Sequence, residues 1–386
     1  MVRRSIIFAL LAVALLAPPA RAAAPSSYLQ IAEQGAAQAQ RLWWDKRHHW
    51  YDERLNDHDR YPLATIWDAL PLFETVDAIQ IAAPTPAHRA AVERFVRGAE
   101  RYWDHGLRPH PGYAPYPGDR GAHVRVWFDD NGWWGNAFLD AYRATHDPRA
   151  LRDAQRALAF IEASGWDSRN GGLWWNTSHP YKAGEALAAG TLLAARLYQA
   201  THRSSYLAFA KQLMSWGDRA MWIQRDGLYA ASDTSPISMP YVEGPMIAAH
   251  EILCLASGDR SLCSRAETLA HNALDRFGDN LEMGPQFDAI YVHWMLDLYS
   301  HDGNPALYRL ATTSAQRALA NARDASGLFT RAWDGSPMTQ HQSGLGMLQA
   351  QAASVSVFAW LATVEGMRCE VWGLETQRSG GGRAGG

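Results

Sequence analysis

A repeat of paired helical segments constrains the fold of this chain more than any other feature of its sequence. Between residues 28 and 364, apolar residues recur at helical spacing in about twelve stretches. Ala- and Leu-rich stretches alternate with more amphipathic ones, so the sequence predicts an all-α protein built from helix pairs. The predicted helices span 28–44, 64–82, 86–103, 136–146, 148–164, 182–201, 204–221, 242–257, 261–277, 287–301, 306–323 and 341–364.

A Gly-Leu-aromatic motif recurs between helix pairs. Its copies are Gly172-Leu173-Trp174, Gly227-Leu228-Tyr229 and Gly327-Leu328-Phe329. The glycines are 55 and then 100 residues apart, which is about one and two units of a repeat near 50 residues. Each copy predicts a tight turn followed by a short extended strand. Because the sequence lacks the polar capping repeats of an open array, we predict a closed (α/α)6 barrel with short β-like hairpins in the loops at one mouth. An open helical solenoid is the alternative.

The two ends of the chain are predicted to lie outside this fold. Residues 1–22 join Arg3 and Arg4, an apolar run and Ala20-Arg21-Ala22, the pattern of a cleaved export signal. An uncleaved N-terminal anchor is the alternative for this segment. Residues 373–386 are Gly-rich and predict a disordered tail. Residues 25–372 contain no linker-like run, so we expect one (α/α)6 domain there, in a secreted or periplasmic protein.

The charge and the cysteines exclude several classes of partner. The formal net charge is −3, and removing residues 1–22, which hold three arginines and no acid, makes it −6. The sequence has no Lys/Arg stripe, which argues against binding to nucleic acid or to an anionic membrane surface. Cys254 and Cys263 flank a predicted turn and can pair in an oxidising compartment. No cysteine spacing indicates zinc and no motif indicates a cofactor, so neither a metal nor a cofactor is predicted.

Two adjacent aspartates, Asp129 and Asp130, stand among aromatic residues in the segment WFDDNGWWG, directly before an apolar helical run. Aspartate is a favoured helix N-cap, and this interpretation requires no chemistry. One aspartate is enough for a cap, however, and a second would repel it. Glycoside hydrolysis requires a pair of carboxyl groups, one ionised and one protonated. The 17 tryptophans of the chain, many in predicted loops, are suited to hold the apolar faces of sugar rings.

At this point the sequence resembles glycoside hydrolase family 76, the endo-α-1,6-mannanases, over nearly the whole mature chain. Four segments carry the resemblance in order: DDNGWW (129–134), GGLWWNTSHPYKAGEALAAGTLLAARLY (171–198), PYVEGPMIAAHEIL (240–253) and QFDAIYVHWMLDLY (286–299). The resemblance implies an (α/α)6 fold and retaining cleavage of α-1,6-linked mannan. It also implies that Asp129 is the nucleophile and Asp130 the general acid/base. The sugar contacts that it suggests are Trp134, Trp174, Trp175, Asn176 and Lys182.

Two acids depart from the family pattern. Glu243 follows Val242 where the family usually has Asn-Gln, and Asp288 precedes Ala289 where it usually has Lys-Gly. A buried, unpaired carboxylate is costly. We therefore expect Glu243 and Asp288 to meet water, a base or a substrate hydroxyl in the cleft, with Lys182 or Arg125 as candidate bases. These departures affect the exact glycan more than the type of reaction.

Three other functions remain open on this sequence. A transglycosylase acting on cell-surface mannan would differ only in its acceptor. A sugar epimerase of the N-acylglucosamine type would use histidine bases, for which His250 and His293 on predicted inner helices are candidates. A non-catalytic glycan-binding protein would use both aspartates as caps. The expected partner is an α-mannan polysaccharide or oligosaccharide, and the protein is expected to be a monomer.

Overall fold

The computed structural model describes residues 27–55, 63–338 and 346–379, with the side chains of 366–379 left out. This part of the chain contains twelve α-helices and three two-stranded hairpins. The helices are α1 (Ser27–Leu42), α2 (Ile66–Ala82), α3 (Pro86–Ala99), α4 (Phe128–Thr145), α5 (Pro148–Phe160), α6 (Gly184–Thr201), α7 (Ser204–Ala220), α8 (Pro240–Ser257), α9 (Arg260–Phe277), α10 (Pro285–Asp302), α11 (Pro305–Asn321) and α12 (Leu348–Ser379). The strands are β1 (Trp44–Asp45), β2 (Trp50–Tyr51), β3 (Trp103–Asp104), β4 (Gly112–Tyr113), β5 (Trp222–Ile223) and β6 (Leu228–Tyr229).

The even-numbered helices form a closed inner ring. Each packs on the next in the order α2, α4, α6, α8, α10 and α12, and α12 packs back on α2. The odd-numbered helices lie outside this ring, each against one or both of its even-numbered neighbours. This arrangement is the predicted (α/α)6 barrel. The open solenoid is excluded because the first and last inner helices are in contact.

The sequence periodicity explains which helix lies inside. α6 is apolar around its whole circumference, and residues 184–197 are all buried. α5 is strongly amphipathic and buries only one stripe, which includes Ala150, Ala154, Ala157 and Leu158. A helix that is apolar on every side is stable only when other helices surround it, whereas an amphipathic helix suits an outer layer.

Glycines set the spacing between inner helices α4 and α6. A Cβ added at Gly132 would lie 2.6 Å from the Cβ of Ala189, and one added at Gly135 would lie 2.3 Å from Leu193. Across the same contact, Asn136 donates from Nδ2 to the carbonyl of Ala189 at 3.1 Å. The start of α4, which carries the aspartate pair, is therefore held firmly against α6.

The two ends of the barrel differ in their connections. At one end each inner helix begins, after a hairpin or loop that follows an outer helix; at the other end short turns lead from inner to outer helices. The predicted Gly-Leu-aromatic turns all lie at the first end and are confirmed. Leu228–Tyr229 pairs with Trp222–Ile223 as a hairpin, and the other two copies form single antiparallel bridges. Gly172, Gly227 and Gly327 have φ values of 83°, 62° and 82°, which favour glycine.

Several sequence predictions concern the margins of the fold. The predicted signal segment lies outside the described residues, as do residues 380–386 of the predicted tail. α12 reaches Ser379, within the segment 373–386 that was interpreted as disordered. Cys254 and Cys263 form a disulfide that joins α8 to α9. No helix in the described part of the chain is both long and apolar enough to cross a bilayer.

Candidate functional site

A cleft of about 670 Å³ lies at the end of the barrel where the inner helices begin. Five inner helices contribute residues of their first two turns, and the loop before α4 closes one side. The lining residues are Thr65, Trp67, Pro115, Tyr116, Asp119, Val124, Arg125, Trp127, Asp129, Asp130, Trp133, Trp175, Glu185, Tyr241 and Phe287. Helix N-termini carry partial positive charge, so their convergence here favours acidic side chains and developing negative charge.

Asp129 and Asp130 are the second and third residues of α4, and both line the cleft. The helix begins eight residues earlier than the sequence predicted. Trp127 is the extended N-cap residue and makes no side-chain capping bond, so the aspartates are not the N-cap. The start of α4 is instead held by its neighbours: Phe128 donates its backbone N–H to the carbonyl of Trp175, and Asn131 Oδ1 accepts from the backbone N–H of Tyr113.

Asp129 is surrounded by groups that stabilise its ionised form. Its Oδ2 accepts a hydrogen bond from the indole Nε1 of Trp175 at 3.3 Å. The backbone N–H groups of Asp130 and of Asp129 itself also favour the carboxylate. Burial has the larger, opposite effect and raises the pKa of Asp129 to about 7. This carboxyl group therefore titrates near neutral pH.

Asp130 lacks such donors among the described residues. Burial raises its pKa well above the ordinary aspartate value, and the negative charges of Asp129 and Asp68 raise it further. The pKa of Asp130 is thus higher than that of Asp129. The surroundings therefore favour the protonated form of Asp130, whereas the hydrogen bonds to Asp129 favour its ionised form.

Glu185 is a third acid of the cleft, in the first turn of α6. Burial, followed by the negative charge of Asp129, raises the pKa of Glu185 to about 8. Asp68, in contrast, has a structural role. It forms a capping box with Thr65 at the start of α2, in which Thr65 Oγ1 donates to Asp68 Oδ2 at 2.6 Å.

Aromatic side chains form the walls of the cleft. Trp175 packs edge-on against Trp127 and stacks on Tyr181, with ring centroids 6.1 and 5.2 Å apart. On the opposite side, Phe287 packs between Trp67 and Tyr241 at 5.8 and 4.8 Å. Flat apolar faces beside buried carboxyl groups suit a sugar chain, whose rings have apolar faces and hydroxylated rims.

Of the five sugar contacts suggested from sequence, the structure places only Trp175 in the cleft lining. Trp134 is fully buried in the barrel core, where its Nε1 donates to the carbonyl of Ile66 at 2.6 Å. Asn176 is buried in a loop and accepts hydrogen bonds from the backbone N–H and hydroxyl of Ser178. Neither lines the cleft, because tertiary packing and local turn geometry use their polar atoms.

Trp174 and Lys182 form a separate cluster behind the cleft wall. Lys182 is 4% exposed, and its Nζ lies 2.8 Å from Asp167 Oδ2 and 3.3 Å from the ring centre of Trp174. The hydrogen bond from Lys182 lowers the pKa of Asp167 to about 2. The expectation that Lys182 pairs with a cleft acid is therefore wrong: its partner is Asp167.

Glu243 and Asp288 are also absent from the cleft lining. Glu243 Oε1 accepts the backbone N–H of Tyr229 at 2.7 Å, so it anchors the β5–β6 hairpin on α8. Asp288 Oδ2 accepts the backbone N–H of Gly284 at 3.1 Å at the start of α10. The structure thus places neither acid in the cleft lining where the sequence predicted them, and the second oxygen of each is buried without a hydrogen-bond partner in the described part of the chain. Arg125 does line the cleft, away from both.

The histidines considered for an epimerase lie away from the cleft. His250 is buried on α8 with its Nδ1 2.8 Å from the carbonyl oxygen of Met246. His293 is buried between Trp294 and Trp360, with ring centroids at 4.1 and 3.6 Å. Burial lowers the pKa of both imidazoles, so each is neutral at pH 7.

Four of the cleft residues that were not singled out from sequence share a position: Trp67, Glu185, Tyr241 and Phe287. Each occupies the first turn of an inner helix. That shared position was available as a signal, since the starts of these helices were predicted closely. The cleft lining holds no histidine or cysteine, and the one His/acid group among the described residues that could hold a metal, Glu251, Asp297 and His301, lies at the opposite end of the barrel.

Comparison with known proteins identifies relatives of this architecture. The family model for glycosyl hydrolase family 76 matches residues 105–363, which is more than half of the chain. No curated protein sequence matches the chain significantly.

Solved structures of family 76 proteins share the fold. An α-mannanase of Bacteroides thetaiotaomicron superposes with a TM-score of 0.79 at 21% identity, covering 89% of this chain and 98% of that one. A mannosidase of the same organism gives 0.78 at 18% identity, covering 89% and 100%. An inactive α-1,6-mannanase variant of a Salegentibacter species, in which two consecutive aspartates are replaced by asparagine, was solved with α-1,6-mannotriose. It gives 0.71 at 17% identity, covering 88% and 100%.

Proposed function

The chain belongs to glycosyl hydrolase family 76, and from this membership and the cleft we propose that it is an exported hydrolase of α-1,6-mannosidic linkages in mannan. The observation that carries the proposal is the pair of adjacent carboxyl groups in the aromatic cleft, where only Asp129 accepts hydrogen bonds from the described residues and burial raises the pKa of both. A distant relative bound to α-1,6-mannotriose was made inactive by replacing two consecutive aspartates, which supports the same role for this pair.

The environments of the two carboxyl groups support distinct roles. Asp129, whose ionised form receives hydrogen bonds from Trp175 and from backbone N–H groups, is the proposed nucleophile that attacks the anomeric carbon. Asp130, which keeps its proton to higher pH, is the proposed acid that protonates the leaving oxygen. After the leaving sugar departs, Asp130 takes a proton from water, which then hydrolyses the glycosyl-enzyme with retention of configuration.

The aromatic walls of the cleft support action within a chain. Trp127 and Trp175 line one side of the cleft, while Trp67, Tyr241 and Phe287 line the other. Sugar units beside the one being cleaved therefore have aromatic surface to contact, as endo-acting cleavage requires. Export is supported by the sequence of residues 1–22 and by the Cys254–Cys263 disulfide, which is typical of oxidising compartments.

The test is hydrolysis of linear α-1,6-mannan by the protein from about residue 25, with products followed by mass spectrometry. We expect short oligomannosides from the wild type. Asp129→Asn and Asp130→Asn should each lower kcat by about 10²- to 10⁴-fold or more. Proton NMR of the first product should show the α-anomer if the configuration is retained.

Asp147→Asn is the matched control. Asp147 is the half-buried N-cap of α5, where its Oδ1 accepts the backbone N–H of Arg149, so this variant changes a capping aspartate outside the cleft. It should keep full activity. A folded wild type that releases no product from this mannan would refute the proposed substrate. Activity that survives in a folded Asp130→Asn variant would refute its role as acid.

A further inference from the structure

A second cluster of ligating side chains lies at the end of the barrel opposite the cleft. Glu251 comes from α8, while Asp297 and His301 lie one turn apart on α10. One ligand atom from each residue lies within 4.8 Å of the other two. The two helices thus bring an imidazole and two carboxylates together near their C-terminal ends.

One donor atom of this cluster is buried and unused. Glu251 is 3% exposed; its Oε1 lies 3.0 Å from Nδ1 of His301, whereas its Oε2 has no hydrogen-bond partner within the described part of the chain. A buried carboxylate oxygen without a partner is unfavourable. The nearest basic group to Asp297 is Arg143, at 4.0 Å. The ion pair between Glu251 and His301 therefore uses only one of the two carboxylate oxygens of Glu251.

The surroundings favour a cation and hold the ligands in place. His301 lies in the last turn of α10, where the helix dipole favours positive charge. Cys254, one turn after Glu251, is joined by its disulfide to Cys263, so the end of α8 is tied to α9. Asp297 and His301 also line a cavity of about 500 Å³, which leaves room for a water molecule as a further ligand.

We propose that Glu251, Asp297 and His301 bind one Zn²⁺ ion at this end of the barrel. One imidazole nitrogen and two carboxylate oxygens, with water in the fourth position, form a ligand set that suits zinc. Calcium prefers six to eight oxygen ligands, and magnesium requires an octahedral set, so three residues including a histidine suit neither. The ion would link the ends of α8 and α10 and so stabilise the closed ring.

The test is calorimetric titration of metal-free, tag-free protein with Zn²⁺, together with thermal unfolding at increasing Zn²⁺ concentration. We expect one tight site per chain and a Tm that rises with Zn²⁺. Ca²⁺ should produce neither effect. Co²⁺ in place of Zn²⁺ should give the visible absorption bands of a tetrahedral site, a signature that a simple ion pair cannot produce.

Two variants remove ligands and one tests surface binding. Glu251→Gln and His301→Asn should each weaken Zn²⁺ binding by at least 10-fold, the lower limit for losing even an outer-shell partner. The matched control is His271→Asn, because His271 and Asp275 form an exposed pair with the same one-turn spacing and no third ligand. It should leave the tight site unchanged.

Circular dichroism before titration establishes that each variant is folded. Absence of a tight site in the wild type would overturn the proposal. So would unchanged affinity in both folded ligand variants, or a loss in His271→Asn equal to theirs. Because these readouts are binding and stability, they do not depend on the proposed hydrolase activity.

Discussion

Asp129 and Asp130 are neighbours in the chain, yet their side chains meet different surroundings. Trp175 Nε1 and two backbone N–H groups face Asp129, while Asp130 meets apolar burial and the charges of Asp129 and Asp68. Sequence reasoning identified the pair from its aromatic neighbours. It did not place Trp175 against Asp129, because residues 46 positions apart are brought together only when α4 packs beside the loop before α6.

Trp175→Phe should shift the pH dependence of hydrolysis. The variant keeps an aromatic wall but loses the N–H that stabilises ionised Asp129, so the pKa of Asp129 rises above about 7. The nucleophile must be ionised, and the acidic limb of the kcat/KM profile therefore moves to higher pH. A charge-assisted hydrogen bond contributes roughly 1.5–3 kcal/mol, so we expect about a 10-fold loss or more at pH 6. The loss of kcat/KM relative to the wild type should become smaller toward pH 8.

The measurement is kcat/KM on α-1,6-mannan from pH 5 to pH 9. Trp166→Phe is the control, because Trp166 is a half-buried tryptophan outside the cleft lining. Its profile should coincide with that of the wild type. A Trp175→Phe profile lowered equally at every pH would show that Trp175 only contacts the sugar.

At the scale of elements, three inner helices share an anchoring hydrogen bond that the sequence alone did not reveal. The fourth residue of α4, α8 and α12 accepts the backbone N–H of an aromatic residue in the preceding hairpin or loop. The pairs are Asn131 with Tyr113, Glu243 with Tyr229, and Gln351 with Phe329, at 2.9, 2.7 and 2.8 Å. Glu243 thus occupies a position filled by an amide in the other two helices, and its role is to anchor a hairpin.

Glu243→Gln should stabilise the protein increasingly as pH rises. Burial raises the pKa of Glu243 well above 4.5, so the folded state holds this proton more tightly than the unfolded state does. The associated stability is complete below about pH 4.5 and is lost as pH rises toward the folded pKa. Glutamine keeps the acceptor for Tyr229 and has no proton to lose. We expect a free energy of unfolding within about 1 kcal/mol of wild type at pH 5 and a relative gain at pH 8.

The reciprocal change, Gln351→Glu, is the matched control. It places a carboxyl group at the equivalent position of α12, where Gln351 Oε1 accepts from Phe329 and Nε2 donates to Gln38. It should destabilise the protein by about 1–3 kcal/mol at pH 8 and less at pH 5. Urea unfolding at both pH values measures the two effects. Equal changes in the free energy of unfolding at pH 5 and pH 8 would contradict the raised pKa of the buried carboxyl group at this position.

At the scale of the whole molecule, the two ends of the barrel differ in chemistry because the inner helices all run in the same direction. All six inner helices begin at the end of the barrel that holds the cleft, and this direction separates the acidic residues of the cleft from the cation site proposed at the opposite end. Three buried acids, Glu74, Asp77 and Asp140, lie inside the ring with Arg196 and with the neutral His293, whose Nδ1 lies 3.8 Å from Glu74 Oε1. Arg196 pairs with Asp140, while both oxygens of Asp77 are buried without a partner in the described part of the structure.

Asp77→Asn should make stability less dependent on pH. Burial, followed by the charges of Asp140 and Glu74, raises the pKa of Asp77 well above 3.8, and burial raises that of Glu74 to about 8. Both acids are therefore protonated in the folded state, and the wild-type Tm should fall as pH rises from 5 to 9. Asparagine has no carboxyl proton to lose, so the Tm of Asp77→Asn should fall less than that of the wild type over this pH range.

Thermal unfolding at several pH values checks this prediction. Asp275→Asn is the control, since Asp275 is an exposed acid on the outer helix α9. It should leave the slope of Tm against pH unchanged. A slope in Asp77→Asn as steep as that of the wild type would contradict the account of Asp77.

The sequence by itself determined the elements of this protein: twelve helices, their order as inner and outer, the Gly-Leu-aromatic turns and the adjacent aspartates. These follow from local periodicity and turn chemistry, which act over a few residues. Tertiary packing determined which residues line the cleft, because the sequence does not show which polar atoms face the cleft once the ring of helices closes. Trp134 packs in the core, Lys182 pairs with Asp167 behind the cleft wall, and Glu243 anchors a hairpin. Trp67, Glu185, Tyr241 and Phe287 line the cleft with the aspartates, since first turns that are distant in sequence converge at one mouth of the barrel.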